Sequence, residues 1–261
     1  MDGFKGKVVV ITGGASGMGK ILARRLSEEE AKIAIFDVNE DGIADTVRKT
    51  KNAAGFKCDV ASDEAVKNSV KKVEETLGPV DLLITAAALM PGHKVVDETS
   101  ESMGRLFNIN YFGTYHMIEA ILPAMRTRNT GRIIAFGSVA GYAPVPNMAA
   151  YCATKAAINS LIEILQNELR HEGSDVRAQL ICPPAVDTPL VDQTLATDSP
   201  GSIKHAKRSG RLSNPEKIVD AIIDGIKKDK PIIFPGEARV LKLWHDLLPR
   251  LWWKTVLNFE K

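Results

Sequence analysis

No apolar stretch of the 261-residue chain approaches the roughly 20 residues that a membrane-spanning helix needs, so no spanning segment is predicted. The strand-like run KVVVIT begins at Lys7, too early to leave room for a secretory leader. Three cysteines, Cys58, Cys152 and Cys182, are odd in number and lack metal-ligand or disulfide spacing. They read as free thiols in a reducing, cytoplasmic setting, and no metal is expected. Basic and acidic residues nearly cancel, and a net charge of +2 gives no reason to expect a nucleic-acid partner.

What is present is an ordinary soluble composition, 44% hydrophobic and 25% charged, in a chain long enough to bury a core. Apolar, valine- and isoleucine-rich runs at residues 7–12, 32–36, 53–58, 81–85, 132–136 and 231–234 alternate with helical patterns. Such alternation, without an internal repeat, predicts one α/β domain over residues 1–261, a doubly wound parallel sheet with helices on both faces. Helices are expected at about 40–51, 63–77, 103–126 and 215–228, the last capped by Asn214 with Pro215 at its first position.

The first strand runs into Gly13-Gly14-Ala15-Ser16-Gly17-Met18-Gly19 and then directly into a helix. In that context a glycine-rich turn cradles a pyrophosphate: Gly13 for the tight turn, Gly17 for close backbone approach, Gly19 for helix–sheet packing. Ser16 and Met18 belong to the same turn. The phosphates would face the helix N-terminus and its free N–H groups. Asp37 ends the second strand and can accept hydrogen bonds from an adenosine ribose, while its charge would repel a 2′-phosphate. That predicts NAD as the cofactor, with Lys20 the one nearby base able to soften the preference. Asp37 could instead cap a helix or serve a turn. Asp59, beside Val60, could touch the adenine or be a turn acid.

Tyr151 and Lys155 open a strongly periodic helix, one turn apart on the same face. A phenol titrates at about 10 in water, and a neighbouring ammonium, especially with a cationic cofactor ring nearby, favours its ionised form and brings it into working range for proton exchange. The same spacing also arises on solvated helix faces.

With Thr12-Gly13-x3-Gly17-x-Gly19, Tyr151-x3-Lys155, Ser138 placed 13 residues before the tyrosine and Asn110 in FNINYFGT, the chain resembles the short-chain dehydrogenase/reductase family from about residue 5 to about residue 235. The resemblance implies a Rossmann fold with seven parallel strands and an active site at their carboxyl ends. It implies that Ser138 orients the substrate oxygen, that Asn110 holds a relay water, and that Lys155 also binds the ribose hydroxyls. Ser138 could be a turn residue and Asn110 a structural helix asparagine. Ala87 and Pro183 fall at further cofactor positions, and Val186 and Thr188 match those that hold a carboxamide. Helix 103–126 and the Tyr151 helix would form a subunit contact in a homo-oligomer, a dimer or a tetramer.

Two family motifs are altered: Thr85-Ala86-Ala87-Ala88 replaces the usual Asn-Asn-Ala-Gly, and Pro183-Pro184 replaces Pro-Gly. The lost asparagine would have tied the fourth strand to its neighbour. Residues 189–214 lack periodicity, as a functional lid or a disordered stretch does, and by position are expected to cover the substrate as a lid. Within it, Lys204, His205, Lys207 and Arg208 could meet an anion or form a solvated basic loop.

The tail from residue 237 places Leu241, Trp244, Leu248, Leu251 and Trp252 at helical spacing, with Lys242, Arg250 and Lys254 between them. Pro249 should kink or divide it. The pattern suits packing on protein, over the substrate mouth or a neighbouring subunit, or peripheral membrane contact through residues 240–261.

These features predict an NAD-dependent oxidoreductase interconverting a secondary alcohol and a ketone. With the geometry that the resemblance implies, Leu89, Met90, Pro91, Val145, Pro146, Met148, Leu190 and Val191 would line or approach a pocket for a bulky apolar substrate, steroid-, terpenoid- or lipid-like. An NAD-binding scaffold with little catalysis is the alternative that the altered motifs support.

Overall fold

The computed structural model describes residues 3–260. Strands β1 (Val8–Thr12), β2 (Lys32–Asp37), β3 (Ala53–Lys57), β4 (Leu82–Thr85), β5 (Arg132–Phe136), β6 (Arg177–Ile181) and β7 (Ile232–Ile233) form one sheet in the order β3-β2-β1-β4-β5-β6-β7. Every pairing is parallel, with Val10 opposite Ala34 on one side and Leu83 on the other. The period of two divides each strand between two cores. Val8, Val10, Phe36, Leu83 and Ile133 pack with Met117, Ile121, Ile158 and Ile162 on one face. Val9, Ile11, Ile35, Ile84 and Ile134 pack with Leu22, Leu26, Ile218 and Ile222 on the other. Continuous apolar runs are what a sheet covered on both faces requires.

The covering helices are α1 (Gly17–Glu28), α2 (Glu40–Arg48), α3 (Asp63–Thr76), α4 (Ser100–Leu106), α5 (Gly113–Arg128), α6 (Ala149–His171) and α9 (Pro215–Lys227). Asn214 caps α9 as its sequence predicts, accepting from the Lys217 N–H at 3.1 Å. The helix expected over 103–126 departs from a single α-helix. A π-helical segment, Phe107–Phe112, joins α4 to α5. Its extra residue per turn carries Asn110 inward, where it is fully buried. Pro123 sits inside α5, which continues to Arg128 and ends at Asn129 in the left-handed conformation.

The segment 189–214 is also more ordered than its lack of periodicity suggests. It contains α7 (Pro189–Leu195) and α8 (Gly201–Arg208), both too short to show a period. Lys207 pairs with Asp187 at 2.7 Å and with Asp192 at 3.3 Å, so this one member of the basic cluster ties α8 to α7 and to the chain before it. The tail forms a hairpin of α10 (Ala238–Leu247) and α11 (Pro249–Asn258), divided at Pro249 as expected. Among the described residues no helix is long and apolar enough to cross a membrane.

Candidate active site

The order of the sheet reverses between β1 and β4, and a crevice opens outside the carboxyl ends of strands at such a point. A cleft of about 380 Å³ lies there, bordered by Gly13, Ser16, Gly17, Met18, Gly19, Asp37, Asp59, Val60, Ala87, Tyr151, Lys155, Pro183 and Thr188. Of the cofactor positions expected from sequence, Val186 alone faces elsewhere, into the adjoining pocket.

The turn after β1 needs its glycines. Gly13 has φ of +67°, and a Cβ there would stand 2.7 Å from the Ala87 nitrogen. A Cβ on Gly19 would run into the Gly13 carbonyl oxygen. Ser16 precedes α1 in extended conformation without capping it through its side chain, so the first N–H groups of the helix stand at the cleft wall uncapped. This suits an anion. Thr12 does the tying expected of the lost asparagine: its Oγ1 accepts from the Ala86 and Ala87 N–H groups at 3.1 and 3.2 Å. Sequence reasoning missed this role.

Asp37 closes the far end of the cleft. Its carboxylate accepts from the Ala15 N–H at 3.1 Å and the Asn39 N–H at 3.0 Å. Asn39, not Asp37, caps α2, accepting from the Gly42 N–H. Lys20, expected to soften the charge of Asp37, is instead paired with Asp45. Asp59 borders the cleft while its Oδ1 accepts from the Ala61 N–H at 2.9 Å, the bond of a turn acid.

Tyr151 lies in the first turn of α6, buried, and borders both the cleft and a second pocket of about 250 Å³. Ser138 ends the connection from β5 beside it, 6% exposed. Its Oγ accepts from the Ala140 N–H at 3.0 Å, a turn-serine bond that leaves the hydroxyl proton free to donate. Lys155 is almost wholly buried; its Nζ donates to the Phe136 carbonyl at 2.7 Å and stands 5.7 Å from the Tyr151 ring centre.

Burial dominates the electrostatics here. It pushes the Tyr151 phenol up, against a smaller lowering by Ser138, and pushes Lys155 down to about 8. The lowering expected of Lys155 together with a cationic cofactor ring is not produced by the side chains of the chain on their own. These residues by themselves keep Tyr151 protonated at neutral pH, the state of a proton donor. Asn110 reaches the same helix from the opposite side. Its Nδ2 donates to the Leu89 carbonyl at 3.0 Å and to Thr154 Oγ1 at 3.1 Å, and its Oδ1 accepts from the Leu89 N–H at 2.8 Å. The asparagine thus fixes the loop after β4 against α6.

The second pocket is almost entirely apolar. Met90, Val145, Met148, Leu190 and Val191 line it as expected. Leu89 borders the cleft instead, and Pro91 and Pro146 lie on neither. The far wall is the tail, whose placement over the substrate mouth was one of the alternatives its sequence left open: Leu241, Trp244, Trp252, Val256 and Phe259 close it. The Trp252 Nε1–H donates to the Pro144 carbonyl at 3.1 Å, and its ring packs edge-on against Trp244 at 5.4 Å. Helical spacing signalled an apolar face on the tail, without saying which surface that face would meet.

A family model described as short chain dehydrogenase matches residues 7–199. The chain belongs to the short-chain dehydrogenase family. As a member it is an oxidoreductase, and its seven-stranded parallel sheet is that expected of the family. Estradiol 17-beta-dehydrogenase 11 of Rattus norvegicus is 28% identical over 251 residues, covering 94% of this chain and 80% of the relative. The 2-(S)-hydroxypropyl-CoM dehydrogenase 3 of Xanthobacter autotrophicus is 32% identical over 230 residues, covering 84% and 89%. Among solved structures, a short-chain dehydrogenase/reductase from Burkholderia phymatum in complex with NAD superposes with a TM-score of 0.86 at 26% identity, over 96% of this chain and 97% of that one. An NAD+-bound xylitol dehydrogenase superposes at 0.79 with 27% identity, over 88% and 98%.

Proposed function

We propose that the protein is an NAD(H)-dependent dehydrogenase interconverting a secondary alcohol and a ketone on a bulky apolar substrate. The observation that carries this is the position of Tyr151, with Ser138 beside it, where the glycine-bordered cleft meets the apolar pocket. A proton-transferring group belongs at the junction of cofactor and substrate sites. The cleft fits a dinucleotide because its glycine turn admits close backbone approach, α1 leaves its first N–H groups uncapped, and Asp37 is free of helix capping.

When bound, the nicotinamide of NAD(H) supplies or accepts the hydride. The chain supplies binding and proton management. Gly13, Ser16, Gly17, Met18 and Gly19 would hold the pyrophosphate, and Asp37 the adenosine ribose. Asp59, Val60 and Ala87 would border the nucleoside, and Pro183, Val186 and Thr188 the carboxamide end. Ser138 would donate its free hydroxyl proton to the substrate oxygen and hold it beside Tyr151. In ketone reduction Tyr151 gives that oxygen its proton; in alcohol oxidation it takes the proton back, which requires added positive charge near the buried phenol. Lys155 supplies part of that charge, and its lowered pKa lets it pass a proton on. Asn110 would hold the relay path through the loop it anchors.

The apolar lining, with Met90, Met148 and Val191 facing Trp252 and Val256, supports a steroid-, terpenoid- or lipid-like substrate. Exposed Met103, Phe112, Tyr115 and Ile164 on α4–α6 support a homo-oligomer built on those helices. Three unpaired cysteines support a cytoplasmic setting.

The test is oxidation of a panel of apolar secondary alcohols with NAD and NADP in parallel, by wild type and Tyr151→Phe. Turnover with NAD, reduced by about 10²- to 10⁴-fold in the variant while NADH binding persists, is the expected result. Retained turnover in the variant would sink the mechanism. NADH binding with no turnover of any substrate by the wild type would favour the scaffold reading.

A further inference from the structure

The tail hairpin is apolar on two sides. Its inner side, Leu241, Trp244, Trp252 and Val256, is the pocket wall. Its outer side is exposed. Val240, Leu243 and Leu247 recur at three- and four-residue spacing along α10, at 66%, 47% and 74% exposure. Leu248 and Leu251 extend this stripe around the bend at Pro249, and Trp253 and Leu257 stand one turn apart on α11, all exposed. An isolated surface leucine needs no explanation, but a stripe of this kind does.

Charge decides between occupants. Arg239, Arg250 and Lys254 make no ion pair among the described residues. The acids of the hairpin are largely committed: Asp246 binds Lys242 and His245, and Glu260 accepts from the Gly201 N–H at 2.7 Å. Glu237 lies at the pocket rim. The outer side therefore offers leucine, tryptophan and unpaired cations together. A second copy of this hairpin would bring the same cations face to face. An anionic lipid surface would meet both the charge and the apolar stripe.

We propose that the α10–α11 hairpin seats the enzyme on an anionic membrane surface, with Val240, Leu243, Leu247, Leu248 and Leu251 in the interface and Arg239, Arg250 and Lys254 at headgroup level. The inference rests on the apolar-substrate reading above and deepens it. One helix thickness, about 10 Å, separates the lipid from the pocket, which places the apolar pocket close to the membrane surface.

The experiment is co-sedimentation of the full chain with vesicles of phosphatidylcholine alone, and of about three parts phosphatidylcholine to one part phosphatidylserine. Two variants accompany it, Leu247→Glu/Leu251→Glu and Arg250→Gln/Lys254→Gln; none of these residues lines the cleft or the pocket. Binding to the anionic vesicles is expected, weakened about five-fold for each cation removed and abolished by the glutamates. NADH binding, measured without vesicles, should be unchanged in every variant, which separates this inference from the assignment of the active site. Failure of the wild type to bind either vesicle would overturn it. So would loss of a concentration-dependent dimer in the leucine variant without any vesicle binding, which would assign the stripe to a second copy.

Discussion

The cleft and the pocket meet at Tyr151, yet they are built from different materials. The cleft is made of strand ends, backbone N–H groups and glycines, with side chains such as Asp37 and Thr12 held by bonds to neighbouring backbone. The pocket is made of side chains, from helices α7, α8, α10 and α11 and from the loops that carry Met90, Val145 and Met148. Backbone geometry at strand ends follows from the sheet and tolerates little change. Side-chain walls follow from packing and can be rebuilt without disturbing the sheet. This division lets one nucleotide site serve many substrates.

The largest expected effect falls on the pocket wall. Trp252 is 6% exposed, while its neighbour Trp253 is 38% exposed on the other side of the same helix. Trp252→Ala removes a buried ring and its bond to Pro144, and should cost about 3–5 kcal/mol of stability by chemical denaturation. Trp253→Ala should change stability by no more than about 0.5 kcal/mol. In the Trp252 variant KM for apolar alcohols should rise while NADH affinity holds. An equal loss of NADH affinity would mean that the two halves are not separable.

On the cleft side, Asp37→Ala should weaken NADH binding by about ten- to a hundred-fold, the range for hydrogen bonds to a charged group. NADPH binding should improve in the same variant, because the repulsion of a 2′-phosphate is gone. The opposite signs matter, since Asp37 also holds the Ala15 and Asn39 N–H groups. A purely structural loss would weaken both cofactors together.

The motifs of the cleft were legible in sequence because they act locally. Gly13, Gly17 and Gly19 do their work within one turn, and Tyr151 and Lys155 need only a helix to share a face. The pocket was half legible. Met90, Val145, Met148, Leu190 and Val191 follow from the family geometry that the motifs imply. Trp244, Trp252 and Val256 do not, because nothing local states where a terminal hairpin will dock. The π-helical turn at Asn110 was hidden for a similar reason: one added residue leaves the apolar period almost intact, and tertiary bonds to Leu89 and Thr154 fix it. Thr12 went unread because its acceptor role requires β4 to lie alongside β1.

At the junction itself, burial lowers Lys155 from 10.5 to about 8, so the folded protein sheds this proton at lower pH than the unfolded chain does. Between those values the unfolded state binds more protons, and stability must rise with pH on this account. The raised pKa values of Cys152, Cys182 and Tyr151 oppose the rise once their unfolded forms begin to ionise, from near 9 upward. The informative quantity is therefore the difference between wild type and Lys155→Met. Relative to the variant, wild type should gain about 1 kcal/mol between pH 8 and pH 9, measured by denaturant unfolding. A flat difference would mean that Lys155 keeps its charge in the folded protein well above pH 8.

The smallest effect sharpens the contrast most, because it separates a charge near the cleft from a charge acting in it. Lys20 follows the glycine turn directly, and its position in sequence gives it a claim on a 2′-phosphate. In the fold it is paired with Asp45, which also binds Arg48 and Lys49 and whose carboxyl is held well below the usual range by hydrogen bonds from Lys20 and Lys49. A cation so engaged adds little field at Asp37, and what remains is screened by solvent and salt. Lys20→Gln should therefore shift the ratio of NADH to NADPH affinity by less than about two-fold. Asp45→Asn, which frees the lysine, should move that ratio toward NADPH by more than the loss of the lysine moves it away. If Lys20→Gln produced the larger shift, the lysine would have to reach the cleft despite Asp45, and cofactor preference would depend on its movement as well as on Asp37.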